Sequence, residues 1–115
     1  MKDINGELHY RDKTYRLVFN LNVMEEIQQE YGTIENWGKL TDGSMGEPDA
    51  KAVKFAFMHM INEGIDINNE EMNLDDKPLT MKQVGRMITD IGLMEATATL
   101  NQTVIDSTKS NVKNS

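Results

Sequence analysis

Residues 49–64, DAKAVKFAFMHMINEG, decide how the rest of this chain must fold. Wound at 3.6 residues per turn, Ala50, Val53, Ala56, Phe57, Met60 and Ile61 fall on one continuous apolar face. Asp49, after Pro48, is placed to cap the helix, because its carboxylate accepts from N–H groups that have no partner in the first turn. Gly64 suits the far end, where chains commonly turn through positive φ. Lys51, Lys54 and Asn62 mark the opposite, wet side. Phe55 and Met58 break that division by projecting toward it. Either a second element covers them, or they form an exposed apolar spot that a partner uses.

Outward from this helix, both flanks punctuate themselves. Thr41–Pro48, TDGSMGEP, reads as a loop rich in glycine and small polar residues. Before it, Thr33 can cap a short helix, Ile34–Leu40, that carries the single tryptophan, Trp37. Earlier still, Asn22 and Glu25 fit a capping box, and Met24, Ile27 and Tyr31 make an apolar stripe that Gly32 ends. The N-terminal part alternates instead. Glu7–Tyr10 and Thr14–Phe19 are expected as two strands around Arg11-Asp12-Lys13, with Tyr15, Leu17 and Phe19 on one face and Thr14, Arg16 and Val18 on the other. Such a hairpin is marginal alone in water and must lie on a helix.

After Gly64, Ile65–Leu79 reads as an acidic linker closed by a proline. Thr80 and Gln83 form a second capping box, followed by a stripe of Met81, Val84, Ile88 and Ile91. Gly92 breaks the pattern. A last helix is expected from Leu93 to about Asp106, with Leu93, Ala96, Leu100 and Val104 on one side, and residues 107–115 as a polar tail. Four threonines, at 97, 99, 103 and 108, lower its intrinsic propensity. The expected fold is α+β: one mostly helical domain over residues 1–106 with an N-terminal antiparallel hairpin.

Composition narrows function by exclusion. Twelve basic and nineteen acidic residues give a formal charge of −7, a field that repels a phosphate backbone and argues against nucleic acid as a partner. No run approaches the roughly 20 apolar residues that span a bilayer, and the N-terminus lacks the apolar core of a secretory signal. Without cysteine there is no disulfide or thiolate chemistry, which fits a reducing cytoplasm. His9 and His59 stand on separate elements, and neither a nucleophile elbow nor a phosphate-binding loop occurs. Asp66, Asn68 and Glu70 alternate like the opening of a calcium loop, but Glu71 and Lys77 stand where its glycine and closing glutamate belong. An enzyme, a metal and a cofactor are therefore not expected, which leaves binding. Nine methionines supply the adaptable side chains that protein-binding surfaces over-use.

The order of features resembles the tail assembly chaperones of long-tailed bacteriophages and prophages. Carrying the resemblance is Tyr15–Trp37, YRLVFNLNVMEEIQQEYGTIENW, in which a strand precedes a helix of the form N-x-M-E-E-I-x-x-x-Y-G and then a short helix. It continues through the glycine-rich loop, the helix ending M-H-M-I-N-E-G, the segment PLTMKQVGRMITDIG and the closing helix, over roughly residues 5–106. The resemblance implies a non-enzymatic protein of the host bacterial cytoplasm that binds the tape-measure protein during virion morphogenesis, keeps it soluble while tail-tube protein assembles around it, and is absent from the mature virion. Tail-tube protein is a further partner it implies, and a homo-oligomer is compatible with it. Candidate contact residues are Phe55 and Met58 on the central helix, with Trp37 and the Met72 region of the linker as further candidates. The alternative is a structural tail-tube or head–tail connector component.

Overall fold

The computed structural model describes the backbone of residues 5–113 and the side chains of residues 6–108. Over that range the chain forms β1 (Asn5–Tyr10), β2 (Lys13–Val18), α1 (Leu21–Tyr31), α2 (Ile34–Thr41), α3 (Ala50–Met72), α4 (Met81–Ile91) and α5 (Leu93–Lys113). It is an α+β fold, mostly helical, with an antiparallel N-terminal hairpin.

The hairpin closes more tightly than its sequence suggests. Tyr10 pairs with Lys13, so the loop is Arg11-Asp12 alone, and Arg11 takes a φ of 60°. Leu17, Val18 and Phe19 are all buried, so the expected alternation fails at that end of the strand. Its cause is enclosure: α3 runs along β2, while α5 meets the β1 side, where the Ser107 hydroxyl donates to the Phe19 carbonyl at 3.2 Å.

α3 is the hub, since α1, α2, α4, α5 and β2 all pack on it. Its expected apolar face is buried at Val53, Ala56, Phe57, Met60 and Ile61, and Asp49 caps it by accepting from the Ala52 N–H at 2.9 Å. The helix does not stop at Gly64. It runs 23 residues to Met72, absorbing half of the expected linker, and ends at Asn73 in the left-handed region. Gly64 is a contact residue instead. A Cβ there would overlap the Arg16 carbonyl oxygen and lie 2.9 Å from its carbon, so glycine lets β2's backbone touch the helix.

Three other boundaries differ. α1 is capped by Asn20, whose side chain accepts from the Val23 N–H at 3.2 Å, rather than by Asn22 with Glu25. Burying Phe19 ends the strand early and puts Asn20 at the turn. α2 follows its Thr33 cap as expected and reaches Thr41. α5 passes Asp106 and stays helical to Lys113, because Ser107 is buried at the Phe19 carbonyl; residues 114–115 of the expected tail lie outside the described residues. The Thr80–Gln83 capping box and the Gly92 break stand where expected. α5's threonines satisfy themselves: Thr97, Thr99, Thr103 and Thr108 each donate to the carbonyl four residues back, at 2.7–3.1 Å.

Candidate functional site

The four expected contact residues do not form one surface. Trp37 is 1% exposed, and its indole N–H donates to the Ala52 carbonyl at 3.1 Å, so it is a core residue that anchors α2 to α3. Met72 is 56% exposed at the end of α3. Seventeen residues separate it from Phe55, which at 1.5 Å per residue is about 25 Å along the helix. Phe55 and Met58 do lie together, one turn apart, and both are half-buried against the core.

Around Phe55 the structure gathers an aromatic strip. The Tyr31 ring meets Phe55 edge-on with centroids 5.6 Å apart, and Phe55 meets His59 at 4.6 Å. Edge-on geometry places a positive ring edge against a negative ring face. The Tyr31 hydroxyl is buried and has no hydrogen-bond partner among the described residues. Burial raises its pKa, with Asp49 and Glu30 adding to the rise by repelling a phenolate.

Beside this strip lies a cleft of about 280 Å³ between α1, the middle of α3 and residues 73–80. Glu26, His59, Glu63, Asp66, Asp76 and Pro78 are among its walls. Glu63 already accepts from the side-chain amides of Asn20 at 2.7 Å and Asn22 at 2.9 Å. Among the described residues, no group of three or more His, Asp or Glu side chains is arranged to hold a metal ion.

The segment 73–80 is not loose, although most of its side chains are exposed. Asn62 and Asn69, two helical turns apart on α3, hold it by side-chain amides that imitate a β-ladder. Asn62 donates to the Leu79 carbonyl at 3.0 Å and accepts from the Leu79 N–H at 2.8 Å. Asn69 does the same with Asp76, at 3.0 and 3.1 Å. Both asparagines were visible in the sequence, but only the long-range pairing reveals what they do.

At the hairpin turn, the Tyr10 hydroxyl donates to the Asp90 carboxylate, and Arg11 reaches the same oxygen at 3.3 Å. Donation from Tyr10 lowers the Asp90 pKa, and the same bond raises that of Tyr10. These groups tether β1 to α4 at the surface.

No helix among the described residues is long and apolar enough to cross a membrane. Comparison with known proteins found no matching family model, no matching curated protein and no matching solved structure.

Proposed function

We propose that this protein is a non-enzymatic tail assembly chaperone that holds an apolar segment of the tape-measure protein during phage or prophage morphogenesis. The observation that carries this reading is the strip of Tyr31, Phe55, Met58 and His59 along α1 and α3, half-buried on a charged, acidic protein. Aromatic and thioether groups with part of their surface in water are the chemistry that receives an amphipathic helix. The order of hairpin, helices and loop, which resembles that of the chaperone family, names the client.

The test is co-expression with the tape-measure protein and measurement of its soluble fraction. A Phe55→Gln, Met58→Gln variant whose circular dichroism matches the parent is expected to leave most of the client insoluble. Undiminished rescue by that folded variant removes the strip as the binding surface. Mass spectrometry of purified virions separates the chaperone from a structural tail-tube or connector subunit: a chaperone is missing from the particle, a subunit is present in stoichiometric amount.

A further inference from the structure

Among the described residues, one edge of β1 is left open. With Tyr10 opposite Lys13 across a two-residue loop, the pairs that exchange hydrogen bonds are Tyr10 with Lys13, Leu8 with Tyr15, and Gly6 with Leu17. Glu7, Arg16, His9 and Thr14 therefore turn their peptide groups away from the hairpin. On the β2 side the consequence is visible, because the outward Arg16 carbonyl abuts α3 at Gly64. On the β1 side, among the described residues, nothing outside the hairpin bonds to the N–H or C=O of Glu7 or His9. Both residues are exposed.

An open groove of about 500 Å³ runs beside this edge, bounded by Gly6 and Glu7 on the strand and by Ala98, Thr99, Gln102 and Thr103 on α5. Ala98, Thr99 and Thr103 keep the middle of that helix wall low enough to admit a backbone, and the carboxylates of Glu95 and Asp106 stand at its two ends. α5 runs antiparallel to β1, with Thr103 Oγ1 3.0 Å from the position of a Cβ on Gly6 and Ser107 at the Phe19 carbonyl.

We propose that β1 is a strand-addition edge and that its occupant is β1 of a second copy of this chain, antiparallel about Leu8. Two features on the strand select that occupant. The register that centres Leu8 on Leu8 makes Glu7 and the second copy's His9 a hydrogen-bonded pair, and both carry outward peptide groups, so the ladder closes in phase. It also sets the Glu7 carboxylate opposite an imidazole, twice by symmetry. His9 Nδ1 is already 2.9 Å from Thr14 Oγ1, which leaves Nε2 to face the carboxylate. The same register brings the second copy's turn, with Arg11 and Lys13, to the Asp106 end of the groove. Uncapped edges of this kind pair readily. Mutual repulsion between two chains of charge −7 opposes association, so the dimer forms in a concentration-dependent way.

This site stands apart from the aromatic strip and does not rest on the client reading. The test uses the full chain in sedimentation velocity from low micromolar to near-millimolar concentration, with amide hydrogen exchange read at Glu7 and His9. A monomer–dimer equilibrium is expected, with both amides gaining protection as dimer forms. His9→Glu sets like charges opposite each other and is expected to weaken dimerisation by about tenfold. Adding Glu7→His to that variant restores a carboxylate opposite an imidazole, and with it the affinity. His9→Pro deletes an outward N–H that the hairpin itself does not use, so it abolishes the dimer while the melting temperature stays near the parent value. A wild-type chain that remains monomeric throughout overturns the proposal, as does a dimer whose Glu7 and His9 amides exchange freely. If those amides become protected only when a tape-measure fragment is added to monomer, the edge belongs to the client and the second copy is refuted.

Discussion

Gly64→Ala and Gly38→Ala are the same chemical change in two helices, and the structure gives them opposite signs. Replacing a glycine inside a helix by alanine ordinarily stabilises by about 0.5–1 kcal/mol, because the unfolded chain loses freedom. At Gly38 nothing lies within 4 Å of the added methyl, so the gain stands. At Gly64 the methyl enters the Arg16 carbonyl and comes 3.1 Å from Arg16 Cβ. The obstacle is strand backbone, which has no flexible end to swing aside. Relief requires α3 to retreat from β2 or the Arg16 peptide to rotate out of the hairpin. Overpacking of this kind costs about 1–3 kcal/mol, and a backbone obstacle belongs at the upper end. Subtracting the helix gain leaves a net loss of about 2 kcal/mol. At about 4 °C per kcal/mol for a domain of this size, Gly64→Ala should melt about 8 °C lower and Gly38→Ala up to about 4 °C higher. Scanning calorimetry on the three proteins at one concentration reads both shifts. A Gly64→Ala protein as stable as the parent would refute the claim that this glycine exists for contact with β2.

Asn62→Ala and Asn69→Ala each remove a two-bond clamp on residues 73–80, at about 1–2 kcal/mol. Hydrogen exchange should accelerate at the Leu79 amide in the first and the Asp76 amide in the second. Trp37→Ala empties a fully enclosed site and deletes a hydrogen bond, so about 3–5 kcal/mol is expected by denaturant titration, a large share of a small domain's stability. Asp90 carries a lowered pKa in the folded state, so its contribution is present above the unfolded carboxylate value and disappears as pH falls through the folded one. Tyr10 is raised, so its contribution is present below the unfolded phenol value, near 10, and disappears as pH rises through the folded one. NMR titration of the Tyr10 ring should show both limbs in the parent and lose the acid limb in Asp90→Asn.

Local signals carried much of the fold. Alternation found the hairpin, the Asp49, Thr33 and Thr80 caps were placed by residue type, and the apolar face of α3 was read correctly from Val53 to Ile61, whereas Ala50 in the first turn is exposed and Ala52 is buried in its place. Failures came where a distant element overrode a local rule. Gly64 looks like a stop signal because a glycine's neighbours in sequence say nothing of a strand 48 positions earlier. Val18 falls on the face opposite Leu17 and Phe19, yet it is buried with them because two helices close on that end of the hairpin. Residues 107–113 looked frayed because only the Phe19 carbonyl explains why Ser107 is inside. The site was less legible still. Phe55 and Met58 were singled out because they violate the helix's own polarity, but Tyr31 joins them only through the crossing of α1 and α3. Trp37 was chosen for its chemistry, and chemistry alone does not distinguish a tryptophan aimed at a partner from one aimed at Ala52.

The two asparagine clamps set a measure. Seven residues of helix, Asn62 to Asn69, rise about 10.5 Å. Three residues of extended chain, Asp76 to Leu79, span about 10 Å. The two repeats coincide, and each clamp touches only peptide groups. Residue identity between the clamps is thus unconstrained by them while residue number is fixed. A foreign sequence of equal length could be written into positions 77 and 78 and still be held in phase with the helix, whereas a single inserted residue would release one clamp or the other.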